Sequence, residues 1–339
     1  MLTTTATTPE VIDNLTSGVY PAFAMLAGMQ LDLFTPLGDG PMSADQLADA
    51  IGVGSAKLKP LLYSLVTANL LTVDGEVFSN TPEADHFLVQ GRPNYIGQRH
   101  GIMAQRWATI LKTAESVRAG TAQGKIDFST LSPSAVKSSS RIHHQATLAT
   151  GRDLVARYDL SRCHQLLEIG GRTGGPTFAV LDAHPQMRGT VVDLPATTPI
   201  TQQYVEEAGL AGRVRVVAAD VVEDRLEGSF DVAVMKSLIQ VLNREQVRRA
   251  LRNVGQVIVP GGAIYILGSV LDDSRLSPPE AVASNLNFLN VYDGGQAYTE
   301  GEYLDWLTEA GFVGFERAVV PDGTSIITAR KPNRANMIQ

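Results

Sequence analysis

The segment Gln165-Leu166-Leu167-Glu168-Ile169-Gly170-Gly171-Arg172-Thr173-Gly174-Gly175 holds the residues best placed to do chemistry. An apolar run ends near a carboxylate, breaks into glycines and gives way to a helix. Such a strand delivers its main chain to a ligand, because glycines let the loop pass close and the helix start offers unpaired N–H groups. Glu168, Gly170 and Gly174 are the candidates here. A second short strand, Thr190-Val191-Val192-Asp193-Leu194, ends on an acid that can take both hydroxyls of a ribose. A third, Val214-Arg215-Val216-Val217-Ala218-Ala219-Asp220, adds another acid, with Val221 after it. Strand-end features in this order point to a nucleoside-bearing ligand.

A dinucleotide fingerprint needs glycine at the first, third and sixth loop positions, and Arg172 occupies the third. NAD is therefore disfavoured. S-adenosylmethionine (SAM) carries no phosphate and needs one acid for its ribose and another for its adenine. Asp193 and Asp220 fill those places. SAM is the expected cofactor, with S-adenosylhomocysteine as its product.

The elements that must position these residues fall into three stretches. Residues 9–92 read as a small helical domain with an apolar helix over Val19–Leu37 and a capping box at Ser43-Ala44-Asp45-Gln46. A helix with Leu58, Leu61, Leu62, Leu65 and Val66 follows, then a hairpin turning at Asp74-Gly75. Helix, turn, helix and hairpin make a winged-helix pattern. Residues 93–160 form a helical linker, with Ile102, Met103, Trp107, Ile110 and Leu111 on one face, a Ser-rich loop over Ser132–Ser140 and a helix over Arg141–Tyr158. Residues 161–333 alternate strands and helices, which implies a doubly wound parallel sheet.

Bulk properties narrow the function. The chain has 339 residues, 44% hydrophobic and 19% charged, with a net charge of −7. That charge gives no general attraction to nucleic acid or anionic membrane. Residues 1–100 carry Lys57, Lys59, Arg92 and Arg99 as their only basic residues of this kind, against ten Asp and Glu. Phosphate contacts dominate DNA affinity, so the winged helix is expected to serve dimer packing rather than duplex reading. The single cysteine, Cys163, excludes an intrachain disulfide and a cysteine-rich metal site. No secretory signal and no membrane-length apolar run is read, so a cytoplasmic enzyme with no metal is expected.

The order of features resembles the plant-type O-methyltransferase family, the caffeate and acetylserotonin O-methyltransferase-like enzymes. The resemblance spans nearly the whole chain. It includes the winged helix, the loop Glu168–Gly174, Val192-Asp193-Leu194-Pro195, Ala219-Asp220, Phe230–Lys236, Val259-Pro260-Gly261-Gly262, Gly294–Thr299 and Glu309-Ala310-Gly311-Phe312. It implies an α/β fold: a Rossmann-like, doubly wound class I methyltransferase domain preceded by an all-α, winged-helix dimerisation domain. It further implies a homodimer, a small-molecule acceptor, and SAM contacts from Gly170, Asp193, Asp220, Val221 and Lys236. Leu194 is added beside Asp193.

Two departures from the family pattern bear on chemistry. The family loop usually has glycine where Arg172 stands. The family also carries a general-base His four residues after the Lys matching Lys236, followed by Asp-Trp, and a Glu that supports the His. Here Gln240, Val241-Leu242 and Ala297 stand in those places. A glutamine amide cannot take a phenol proton, and a tuned His contributes roughly 10²–10⁴-fold. His143, His144, Tyr292 and Asp293 are the substitutes considered. Phe23, Met103, Trp107, Asn287, Phe288 and Asn290 are expected to line the acceptor pocket, with Asn285, Asn287 and Asn290 as hydrogen-bonding residues.

The leading reading is methyl transfer from SAM to a small, largely apolar metabolite, shifted toward C or N atoms or easily ionised hydroxyls by the missing base. The second keeps SAM without methyl transfer, as in a pericyclase, hydroxylase or decarboxylase. A SAM-sensing winged-helix regulator is the third, opposed by the acidic N-terminal domain.

Overall fold

The computed structural model describes residues 7–125, 133–320 and 323–333. It divides into two compact units, Met1–Trp107 and Ala108–Gln339. The first contains α1 (Glu10–Ser17), α2 (Val19–Gln30), α3 (Phe34–Leu37), α4 (Ala44–Ile51), α5 (Ser55–Thr67), α6 (Pro82–Leu88) and the start of α7 (His100–Ile110). Strands β1 (Met42–Ser43), β2 (Leu71–Asp74) and β3 (Val77–Asn80) form a small antiparallel sheet. Leu47, Leu58, Leu62 and Leu65 close over Phe34 and Phe78 as its core. The capping box at Ser43 and Gln46 is present, with both hydrogen bonds formed.

Two local expectations need correction. The helix from Val19 stops at Gln30 instead of running to Leu37. Asp32 turns left-handed at φ 51°, its carboxylate accepts from Thr35 Oγ1, and Leu33 N–H closes on Gly28 O, so α3 starts afresh. Asp tolerates that conformation better than most residues because its side chain bonds locally. In the hairpin, Asp74 pairs with Val77, so the turn is Gly75-Glu76 and not Asp74-Gly75.

The second unit contains α8 (Thr113–Ala119), α9 (Pro133–Arg157), α10 (Gly175–Ala183), α11 (Thr198–Glu207), α12 (Arg244–Val257), α13 (Pro279–Val291) and α14 (Glu300–Glu309). Its strands are β4 (Gln165–Ile169), β5 (Arg188–Asp193), β6 (Val214–Ala218), β7 (Phe230–Lys236), β8 (Ile258–Gly268), β9 (Val270–Leu271), β10 (Tyr298–Thr299), β11 (Val313–Val319) and β12 (Ser325–Arg330). The described residues form a seven-stranded sheet in the order β11-β12-β8-β7-β4-β5-β6. Strands β4 to β8 are mutually parallel, and the strand order reverses beside β4. Ligands bind outside the carboxyl ends at such a switch point. The C-terminal strands depart from the parallel expectation: β12 runs antiparallel to both β8 and β11, and β11 is bulged between Val313 and Glu316. Strands β6 and β11 are the sheet's two edges. The apolar cores lie on both sheet faces, with Ile169 and Met235 on one and Leu166 and Val234 on the other.

The Ser-rich stretch is also corrected. Ser132 lies outside the described residues, and residues 133–140 belong to helix α9. Proline suits a first helical turn, and serine only weakly opposes a helix that tertiary packing supports. Helix α9 lies directly on α10. A Cβ on Gly175 would stand 2.1 Å from Thr147 Oγ1 and 2.8 Å from Leu148 N, so only glycine admits this approach.

Candidate cofactor and acceptor site

The glycine loop leaves β4 with Gly170 and Gly174 at φ 70° and 71°, and Arg172 between them at 46°. Asp193, at the end of β5, fixes this loop. Its Oδ2 accepts from Arg172 N–H at 2.8 Å, while Oδ1 accepts from Leu194 N–H at 2.7 Å. On the other side, Thr201 Oγ1 of α11 donates to Arg172 O at 2.6 Å. Asp220 makes its own turn by accepting from Val222 N–H at 2.8 Å. A cavity of about 150 Å³ opens between these strand ends. Gly170, Asp193, Leu194, Asp220 and Val221 line it, with Leu238 and Leu242 among its apolar walls. Carboxylates beside apolar walls match a nucleoside, which has polar hydroxyls and a flat base.

Glu168 belongs beneath the loop, not among the cavity-lining residues. It is 1% exposed, and its Oε2 accepts from both Thr177 N–H and Thr177 Oγ1 at the start of α10. Burial pushes its carboxyl up to about 7, against the opposing effect of the Thr177 hydrogen bonds. Glu168 thus ties β4 to the N-terminal turn of α10. Lys236 ends β7, half-buried, with Nζ 3.4 Å from Ser237 Oγ.

Gln240, at the position where the resemblance leads one to expect a base, lies on a short 3-10 turn, Ile239–Val241, between Lys236 and the capping residue Asn243 of α12. Gln240 is 5% exposed there. Its amide packs on Gly268, and Gly295 lies so close to its carbonyl that a Cβ would stand 2.2 Å from the oxygen. Ala297 is fully buried in a cluster with Leu271 and Ala281, its N–H donating to Asn285 Oδ1 at 2.6 Å. No carboxylate stands at either position.

The alternative bases separate. His144 is a packing residue, contrary to expectation: its ring lies 4.4 Å from Tyr204 and 5.5 Å from Phe178. His143, next on α9, is half-buried. Burial, then the charges of Arg172, Lys236 and His144, hold its imidazole down to about 4. It is neutral at physiological pH and only weakly basic. Burial raises the Tyr292 phenol above its ordinary value, so it stays protonated. Asp293 is exposed and occupied by Lys125 Nζ at 2.6 Å and Ala122 N–H at 3.1 Å, which removes it as a candidate.

The expected acceptor residues divide between the two units. In the first, Phe23 and Trp107 meet edge to face at 5.4 Å, and Met103 packs on the core. In the second, Asn287 and Phe288 are half-buried. Asn290 is a structural residue instead of a pocket residue. Fully buried, it accepts from Ser116 Oγ at 2.6 Å and donates to Thr113 Oγ1 at 2.9 Å and Leu286 O at 2.6 Å. Asn285 is likewise engaged by Ala297 N–H. Sequence reading missed Thr177 and Thr201, whose partners become visible only when helices are placed on the loop. Among the described residues, no group of three or more His, Cys, Asp or Glu could hold a metal ion, and no helix is long and apolar enough to cross a membrane.

Comparison with known proteins places this geometry. Residues 122–313 match the model of the O-methyltransferase domain, and residues 14–90 match that of the O-methyltransferase dimerisation domain. The chain belongs to the O-methyltransferase family. Among its relatives is the 3-hydroxy-5-methyl-1-naphthoate 3-O-methyltransferase of Streptomyces sahachiroi, 29% identical over 89% of each chain. The N,N-dimethyltransferase OxyT of Streptomyces rimosus is 28% identical over 88% of this chain and 89% of its own. The apo structure of the S-adenosylmethionine-dependent methyltransferase SibL superposes with a TM-score of 0.81, at 25% identity, covering 96% of this chain and all of SibL. This family member is a SAM-dependent methyltransferase with an N-terminal dimerisation domain.

Proposed function

We propose that this O-methyltransferase-family enzyme methylates a small, largely apolar acceptor that arrives already nucleophilic. The cavity gathering Gly170, Asp193, Leu194, Asp220 and Val221 carries the cofactor assignment. Asp193 would hold the ribose, Asp220 and Val221 the adenine side, and Gly170 the close main-chain approach. SAM bound there supplies an electrophilic methyl group. Around it the chain offers alignment and exclusion of water, which supply much of the rate for such an electrophile. Among the described residues, the candidates considered give no strong base: Gln240 is an amide, and His143 is too weakly basic to take a phenol proton effectively. An acidic phenol, an enolate carbon or an amine needs none. The homodimer, through the N-terminal domain, and the cytoplasmic location belong to the same reading.

The decisive measurement is mass spectrometry of candidate phenols and amines incubated with enzyme and SAM. A product heavier by one CH₂, with matching release of S-adenosylhomocysteine, is the expected result. Asp193→Ala should weaken S-adenosylhomocysteine binding by about ten-fold or more in calorimetry, because charge-assisted hydrogen bonds are lost. Unchanged affinity in a folded variant would remove the site assignment. Substrate turnover without S-adenosylhomocysteine release would contradict methyl transfer and select the alternative in which SAM stays intact during a non-methylating reaction.

A further inference from the structure

We propose that Asn253 of α12 is a positioning residue for the cofactor, holding the main chain of Asp220 and Val221 in place on the adenine side of the site. The proposal rests on reading the cavity around Asp193 and Asp220 as the SAM site. The turn over residues 220–224 has carbonyls that its own main chain does not satisfy. It closes on itself through Asp220 O, which accepts from Asp224 N–H at 2.7 Å and Glu223 N–H at 3.1 Å. Asp224 Oδ2 accepts from Asp220 N–H at 2.8 Å. Asp220 Oδ1 accepts from Val222 N–H, which leaves Oδ2 for a ligand. Among the described residues, no main-chain N–H reaches the carbonyls of Val221, Val222 or Asp224. Both valines are buried, and a carbonyl left there without a partner is costly.

Asn253 supplies that partner. Its Nδ2 donates to Val221 O at 2.9 Å, and stands 3.2 Å from Asp224 O and 3.4 Å from Val222 O. Helical register brings it there. Val247, Ala250, Leu251, Val254 and Val257 bury one face of α12, and Arg249 and Asn253, one turn apart, are neighbours on another. Arg249 pairs with Glu223, and its Nε stands 3.4 Å from Val222 O. At the start of the same helix, Gln246 lines the cofactor cavity. Helix α12 thus meets the cavity directly through Gln246 and indirectly through the turn that Asn253 grips. Past the turn, residues 224–227 border a hollow of about 330 Å³ against β5 and β6, so that side gives the segment little packing. Without the Asn253 amide, Val221 O loses its donor and the turn is free to shift, carrying the Asp220 carboxylate with it.

Calorimetry on the full-length protein tests this, with the thermal midpoint reporting folding. Wild type, Asn253→Ala, Asp220→Ala and the double variant are titrated with S-adenosylhomocysteine and with S-inosylhomocysteine. The inosine analogue replaces the exocyclic amine of adenine, a donor to a carboxylate, by an oxygen that a carboxylate repels. Asn253→Ala should weaken S-adenosylhomocysteine binding by about ten-fold and weaken the analogue less. In the Asp220→Ala background the same change should cost about two-fold or less, because residues acting through one another do not add. Asn253→Asp keeps the shape and loses the donor, so it should repeat the alanine result, and it stands in where alanine does not fold. An equal loss for both nucleosides, or the full loss repeated without Asp220, marks a merely structural contact and overturns the proposal. So does unchanged affinity in a folded variant. If Asp220→Ala itself leaves binding unchanged, it is the reading of this cavity that falls, and the role of Asn253 with it.

Discussion

Gln240 and Ala297 stand where the resemblance to the plant-type enzymes leads one to expect a general-base His and its supporting Glu. Gln240→Ala should leave the pH dependence of methyl transfer unchanged, since an amide has no proton to exchange in the working range. A pH–rate profile that loses a limb in this variant would contradict that. Gln240→His alone should give little, because Ala297 offers no carboxylate to orient the imidazole. Adding Ala297→Glu is no remedy, since the new carboxylate enters the apolar cluster of Leu271 and Ala281. The double variant should lose on the order of 2–5 kcal/mol in a denaturant titration, the range for an uncompensated buried polar or charged group. Glu168 supplies a prediction with a definite sign. Its folded carboxyl holds a proton up to about 7, against 4.5 in the unfolded chain. This contribution to stability is fully present below 4.5 and is lost as the pH rises through about 7. The thermal midpoint of wild type should fall between about pH 5 and pH 8 more steeply than that of Glu168→Gln, whose amide oxygen can still accept from Thr177. Parallel curves would show that Glu168 does not titrate in that window.

At the scale of elements, much was readable because parallel strands at this switch point are short apolar runs ended by an acid or a glycine. Leu166–Ile169, Gly189–Asp193 and Val214–Ala218 fall within β4, β5 and β6 for that reason. Asp193 and Asp220 could be placed at cavity depth from those strand ends. The direction of a side chain within a helix was less legible where its partners lie far along the chain. Asn290 looks like a solvated or acceptor-facing residue until Ser116 and Thr113 of α8 are set against it. His143 and His144 could not be distinguished until α10 and α11 gave His144 its aromatic neighbours. The break after Gln30 turns on Asp32 adopting a left-handed conformation that hydropathy does not record. Asn290→Ala should therefore destabilise the fold by roughly 2–4 kcal/mol, leaving the Ser116 and Thr113 hydroxyls short of a buried partner. Equilibrium unfolding measures this directly, and a change below about 0.5 kcal/mol would show that the α8–α13 network is dispensable.

For the whole molecule, α1 sets the first expectation. Val11, Ile12 and Leu15 are 72%, 66% and 73% exposed, with Tyr20 and Phe23 of α2 also open to solvent. An apolar surface of this extent, running from Val11 and Ile12 into the dimerisation domain matched over residues 14–90, calls for a partner surface. Light scattering at micromolar concentration should return the mass of a homodimer, and Val11→Asp with Leu15→Asp should shift it toward the monomer. A monomeric wild type would contradict this. The sheet's two margins carry a different consequence, one for misassembly. Strand β11 is interrupted by its bulge and bears Glu316 and Arg317, so its outer rim makes a poor template for a foreign strand. Strand β6 has no such interruption, and Arg215 is the only charge in Val214–Ala218. The two rims are thus unequally guarded. When heat or denaturant loosens the domain, β6 is the margin at which strands from separate molecules would first stack into aggregates.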